Sequence, residues 1–236
     1  MCENDINTLH KKDNILIYPY TKELQKICES FQDKIIKLHA TCMGKTINFS
    51  NCNSVEDILE SILFPNIKKS LVDFEEKSKQ VSPLFYAMNK EYEFEYKVFM
   101  KSTGFNIDDF KSYVHQLCED GGIYRKIFKT KYLIFEFAIN NNNEITIKKF
   151  HYLNVYNLVS YTEKYPVSIQ VKKNTWHDII PDSVENWYID NKTPNKFIEN
   201  ITQCINQCPD MKKMEKIKSI DLINSQFDEL KLKYEF

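Results

Sequence analysis

Five histidines (His10, His39, His115, His151, His177) and seven cysteines (Cys2, Cys28, Cys42, Cys52, Cys118, Cys204, Cys208) carry most of the metal and nucleophile chemistry open to this 236-residue chain. The histidines and cysteines do not assemble a complete metal-ligand set along the sequence. Cys204 and Cys208 lie four apart, which places two side chains on one helical face, but no second pair is near in sequence to complete a tetrahedral set. They read as structural thiols, and no metal is assigned. Partners in a Cys-His nucleophile pair are adjacent only in space, so spacing leaves that chemistry open, yet neither a local protease signature nor a nucleophile elbow occurs. The four glycines (Gly44, Gly104, Gly121, Gly122) form neither a GxGxxG nor a P-loop, which removes nucleotide cradles of those types. No cofactor is implied, and a non-enzymatic role is favoured. Two isolated charges remain as candidate polar anchors: Arg125 beside Tyr124, and Glu136, alone among apolar neighbours in KYLIFEFAIN. For each, a solvated outer strand position is the plainer fate.

The elements that must position these groups belong to a globular chain, 42% hydrophobic and 14% aromatic, long enough to bury a core in one ordinary domain. The net charge is -1, so there is no global pull toward a polyanion. Arg125 is the only arginine. Its fork is the preferred donor to phosphate and guanine, and this scarcity, which codon bias toward Lys, Asn, Ile and Tyr also explains, argues against nucleic acid as a partner. The odd, scattered cysteines follow an N-terminus with no apolar signal-peptide core, which points to reduced thiols and a cytoplasmic location. The sequons at Asn48, Asn191 and Asn200 are then chance matches. No apolar run approaches the roughly 18 residues of a membrane span.

Residues 20–36 place Leu24, Ile27, Cys28, Phe31 and Ile35 at helical spacing, with Tyr18-Pro19 marking the start. KTINFSN after Gly44 alternates like a short strand, and Ser54 with Asp57 resembles a capping box at the head of VEDILESIL. Glu91 to Met100, EYEFEYKVFM, has the cleanest strand alternation in the chain: Tyr92, Phe94, Tyr96, Val98 and Met100 on one face, Glu91, Glu93, Glu95 and Lys97 on the other. Asn106 or Thr103 caps a helix through IDDFKSYVHQLCE, closed by Gly121-Gly122. From Ile123 to Lys172 the texture is β, with a hairpin turn at Asn140 to Asn143 and four or five antiparallel strands. The tail places Met214, Ile217, Ile220, Ile223, Phe227 and Leu230 at helical spacing, with Lys212, Lys213, Lys216 and Lys218 early.

Between strands and tail lies WHDIIPDSVENWYIDNKTPNKFIENI, Trp176 to Ile201, which scans as one long amphipathic helix holding two prolines. Pro181 suits a first turn and Pro194 a hinge. Ile180-Pro181, Val184, Asn186, Pro194, Phe197, Ile198 and Ile201, with Trp176 upstream, resemble the C-terminal helix of StAR-related lipid-transfer (START) domains, and KTINFSNCNSVEDILESIL looks like that family's strand-into-helix entry. The Gly that commonly precedes the Trp is replaced by Thr175, and the family's central Trp-Asp and Pro-Arg-Asp-Phe landmarks have no clear counterparts.

The resemblance implies an α+β helix-grip fold: a curved antiparallel sheet wrapped around a long C-terminal helix, with extra terminal helices. Residues 15–208 would form the lipid-binding domain and residues 209–236 an amphipathic C-terminal helix. The implied function is non-enzymatic binding and transfer of one phospholipid or sterol in an apolar cavity gated by the helix from Asp182 to Cys204. Phe135, Phe137, Val184, Trp187, Tyr188, Phe197 and Ile201 would line the cavity, with Arg125 and Glu136 as polar anchors. Residues 211–233 are a candidate contact for a membrane surface or protein partner. The alternatives are a protein-interaction or structural module with a filled core and, more remotely, an enzyme built on the same cavity.

Overall fold

The computed structural model describes residues 22–37, 41–42, 45–46, 59, 63, 75–76, 84–87, 92–100, 104–142 and 144–234. The Tyr18-Pro19 helix start, Gly44, the Ser54/Asp57 capping box and most of KTINFSN lie outside them, although Leu59 and Leu63 are helical and fully buried. The chain alternates between two compact units. One contains residues 19–105 and 131–153, the other residues 106–130 and 154–236.

The first unit contains helix α1 (Lys22–Phe31) and strands β1 (Ile35–Lys37), β2 (Thr41–Cys42), β3 (Lys45–Thr46), β4 (Glu75–Glu76), β5 (Leu84–Ala87), β6 (Tyr92–Phe99), β8 (Thr130–Ile139) and β9 (Glu144–Leu153). Six of these strands form a sheet in the order β1-β9-β8-β6-β5-β4, and β2 pairs with β3 apart from it. The pairs β1–β9, β8–β9, β5–β6 and β4–β5 are antiparallel. β8 is buried over eight consecutive positions, as expected of a near-continuous apolar strand covered on both faces. Its turn into β9 needs no glycine because the Asn140 side chain does the work. Asn140 Oδ1 accepts from the N–H groups of Asn142 (2.9 Å) and Glu144 (3.0 Å), while its amide donates to Glu144 Oε2 at 2.8 Å. Beyond Glu136↔Lys149 the next pair is Phe137↔Ile147, so Lys148 is an extra residue in β9, a β-bulge.

The second unit begins with β7 (Asp108–Asp109) and α2 (Phe110–Cys118). Asp109 caps α2, accepting from the Ser112 N–H at 2.8 Å, in place of the Asn106 or Thr103 cap expected. Gly121 has φ 67°, and a Cβ on Gly122 would meet the Gln116 carbonyl oxygen at 2.2 Å, so only glycine closes this turn. Tyr124–Lys129 then forms a π-helical turn, not the strand expected from Ile123. Past β9, Asn154 and Asn157 make a reciprocal cap on the one-turn helix α3 (Val155–Leu158), so HYLNVYNLVSY is strand and then helix rather than one strand.

β10 (Ile169–Lys172), β11 (Thr175–Ile179) and β7 form a three-stranded sheet. The β10–β11 turn consists of two residues, Lys173 (φ 50°) and Asn174 (φ 63°), both left-handed. That is the type I′ geometry that Asn-Gly usually supplies.

The segment expected as one hinged helix is strand β11, an irregular stretch, a 3-10 turn at Val184–Asn186, and helix α4 (Pro194–Gln207). Thr193 is the N-cap, accepting from the Lys196 N–H at 3.2 Å, and Pro194 occupies the first turn. A proline there loses no intrahelical bond, so Pro194 starts the helix instead of bending it. Phe197, Ile198, Ile201, Cys204 and Ile205 are buried, and Phe197 meets Tyr113 of α2 edge-on at 6.3 Å. α4 packs on α5 (Lys213–Tyr234). The helix-grip expectation is therefore corrected. The described strands divide among three sheets, and α4 belongs to the unit holding the three-stranded one, not to that of the six-stranded sheet.

Candidate active site

Charged side chains enter a strand interior at a solvation cost, so a strand burying three of them on one face has a reason beyond packing. β6 does this. Glu93 is 1% exposed, Glu95 6% and Lys97 8%, and alternation puts all three on one side of the sheet. Lys97 Nζ lies 3.2 Å from Glu95 Oε1, a contact that offsets part of the desolvation cost of both.

The neighbouring strands add to that face. Tyr96 of β6 packs on Phe135 of β8 (5.7 Å), Phe135 on Phe150 of β9 (6.4 Å), and Phe94 on Tyr152 (6.1 Å). These aromatic rings define the apolar side. The residues between them therefore share the charged side: Glu136 of β8, paired across the ladder with Lys149, and His151, paired with Ile134. Glu136 and His151 are both buried, with His151 Nε2 3.9 Å from Glu136 Oε2. At the bulge the face reaches solvent, since Lys148 and Lys149 are exposed. The result is a face with carboxylates and an ammonium at its centre, an imidazole beside one carboxylate, and two lysines at its open edge.

Such a face can accept a proton from water, balance charge that develops on an oxyanion, and meet an anionic substrate at its edge. Hard carboxylate oxygens would also suit a divalent cation. Among the described residues, however, no group of three or more His, Cys, Asp or Glu side chains is arranged to hold a metal ion.

The site residues expected from sequence do not gather in one place. Phe135 and Phe137 are core residues of β8, buried in the first unit with Glu136. Trp187, Phe197 and Ile201 are buried in the second unit, Val184 is half-buried and Tyr188 is exposed. Trp187 donates its indole N–H to the Asp182 carbonyl at 2.8 Å, and Arg125 pairs with Glu119 at 2.8 Å in the same unit. Glu95 and Lys97 were missed as site residues. Their signal was the Glu-x-Glu-x-Lys alternation of β6, and it needed the burial of those three side chains to become legible.

The family model described as "NgoBV restriction endonuclease" matches residues 18–230. The type II restriction enzyme NlaIV of Neisseria lactamica is 28% identical over 145 residues, covering 58% of this chain. That alignment spans about half, 56%, of the NlaIV enzyme's length. The solved NlaIV restriction endonuclease structure superposes with a TM-score of 0.67 at 22% identity, covering 90% of this chain and 89% of that one, which establishes a shared fold. These matches overturn the START resemblance and the lipid-transfer function drawn from it. The expectations of a non-enzymatic chain, of lipid as partner and of no nucleic acid fall with them. Of the residues behind the resemblance, Ile180-Pro181 lies in an irregular stretch, while Pro194 with Phe197, Ile198 and Ile201 is a helix-starting proline followed by a buried helical stripe, a combination common to many helices. No helix among the described residues is long and apolar enough to cross a membrane.

Proposed function

This chain belongs to the NgoBV restriction endonuclease family, and from that premise we propose that it is a restriction endonuclease hydrolysing phosphodiester bonds of duplex DNA, with the charged face of β6, β8 and β9 as its catalytic centre. The observation that carries the proposal is the buried Glu95–Lys97 pair at 3.2 Å, set on a sheet face that also holds Glu93, Glu136 and His151.

Hydrolysis of a phosphodiester requires water to attack phosphorus in line with the leaving oxygen while negative charge spreads over the phosphoryl oxygens. The chain's own groups answer these needs. Glu95 takes the proton of the attacking water, the bond from phosphorus to the leaving deoxyribose oxygen breaks, and that oxygen takes a proton from solvent. Lys97, fixed by the same ion pair, faces the accumulating charge. Lys148 and Lys149 at the exposed edge draw in the polyanion. A bound divalent cation would supply Lewis-acid assistance to such a reaction, and the hard carboxylate oxygens of this face would be the groups to hold it. Because the described residues do not assemble a three-ligand set for one, the roles of Glu95 and Lys97 are those that their own side chains supply.

The test is digestion of several long duplex DNAs in a magnesium buffer. Discrete fragments are expected, and Glu95→Gln and Lys97→Met should each slow cutting at least ~100-fold. Failure of the wild type to cut any of the DNAs would overturn the endonuclease proposal. Cutting by both variants at the wild-type rate would move the centre elsewhere.

A further inference from the structure

The β10–β11 hairpin is a strained, exposed, basic projection with a firmly seated base, and its features agree with one another. At the tip, Lys172, Lys173 and Asn174 are all exposed. Lys173 at φ 50° and Asn174 at φ 63° occupy left-handed backbone with no glycine to relieve it. Asparagine tolerates this conformation, whereas lysine is an uncommon occupant. A non-glycine residue held there points to a side chain retained for use.

The register pair just behind the one that closes the turn, Val171↔Trp176, is firmly seated. Trp176, next to Thr175, is 7% exposed and packs edge-on against Phe110 at 5.2 Å and against Tyr165 at 6.2 Å. Lys164 sits over the Tyr165 ring at 5.3 Å, bringing a third cation to the hairpin. One extra residue of β11 between Trp176 and Ile179 makes a bulge that twists the ribbon. The acidic groups of this small sheet lie at its other end. Asp178, four residues beyond Asn174, pairs with Asp109 in register and accepts from the Asn106 amide at 2.9 Å, and Glu163 lies nine residues before Lys172. The hairpin is therefore polarised, with a cationic tip and an acidic root.

We propose that this tip is a DNA-contacting element in which Lys172 and Lys173 each hold a backbone phosphate of the bound duplex. A two-stranded ribbon is narrow enough to follow a groove, and a left-handed two-residue turn spreads successive side chains outward. The inference rests on the endonuclease proposal for its substrate and adds the residues that grip it, on an element separate from the charged face of β6.

The experiment is equilibrium binding of the full chain to a fluorescent mixed-sequence duplex of about 30 base pairs, in EDTA, across a salt series. The variants are K172Q/K173Q and N174G. Each phosphate contact contributes about 0.9 to the slope of log affinity against log salt. The double variant should therefore lose nearly two from that slope and bind about tenfold or more weakly at low salt. N174G, which relaxes the turn and keeps both lysines, should bind like wild type. An unchanged slope in the double variant would overturn the inference while leaving the endonuclease proposal intact. Equal loss in N174G would also overturn it, because geometry rather than charge would then govern binding. A wild type that binds no duplex at any salt would defeat the endonuclease proposal, and the hairpin's role with it.

Discussion

Glu95 and Lys97 have side chains only 8% and 10% exposed, so each is worth more to the other than a surface pair would be. Removing one member of a buried pair costs about 3–5 kcal/mol, whereas replacing both by apolar residues of similar size is often close to neutral. Glu95→Gln and Lys97→Met should therefore each lower the urea midpoint, and E95L/K97M should recover much of the loss while remaining inactive. Recovery of cutting in the double variant would show that the pair serves stability alone. The thiols respond to burial in another way. Burial pushes Cys28 up to about 12, with Glu29 adding to the shift, and pushes Cys204 up to about 12 against an opposing hydrogen bond from Val167. A raised thiol binds its proton more tightly in the folded state. Its contribution is complete below the unfolded value near pH 9 and is lost as pH rises toward 12. Native protein at pH 8 should leave Cys28 and Cys204 unalkylated by iodoacetamide, and urea should expose both; rapid native labelling of either, read by peptide mass, would contradict this. The alternation of β6 was readable from sequence, but not that its charged face is buried, because β8 and β9, which extend the sheet on one side of it, come from residues 130–153, well along the chain.

At the scale of elements, Pro194 shows how a correct local observation supports two structures. A proline among apolar residues at helical spacing fits a hinge or a first turn, and the residue before it decides. Thr193 was present as a cap signal, and Thr193-Pro194 is a helix start. Thr193→Ala should cost about 1 kcal/mol by thermal or urea unfolding, while a conformational hinge at Pro194 would make Pro194→Ala the more disruptive change. Phe197→Ala, at a site with no exposure, should cost about 3–5 kcal/mol. The turn of the β10–β11 hairpin runs in the opposite direction. Asn174→Gly should raise stability by up to about 1 kcal/mol by relieving the left-handed backbone, and a loss would mean that the Asn174 side chain supports the turn. Periodicity found β6, the β8–β9 hairpin and the helical tail. It could not find the π-helical turn at Tyr124–Lys129, whose YRKIFK reads equally well as strand, nor the assignment of strands to separate six- and three-stranded sheets, which depends on pairings distant in sequence.

For the whole molecule, a net charge of -1 decides little about partners, because charge acts over a Debye length of about 8 Å in physiological salt. What a phosphate senses is Lys148 and Lys149 at one bulge or Lys172 and Lys173 at one turn, not the total over 236 residues. Duplex binding should consequently fall steeply between about 50 and 200 mM salt despite the near-neutral chain, and a flat salt dependence would speak against phosphate contacts at these lysines. The alternation of the two units along the sequence also sets an order in time. The sheet carrying Glu95 and Lys97 has all its strands once Leu153 has been synthesised, whereas Phe110, Tyr113 and Leu117 of α2 belong to a unit whose remaining helices lie beyond residue 154. At roughly 5–20 residues per second on the ribosome, those apolar side chains wait several seconds or more for Phe197 and the rest of α4. During synthesis the vulnerable species is therefore a nascent chain with its sheet complete and α2 uncovered, and slow translation past residue 154 is where chaperone demand and aggregation should concentrate.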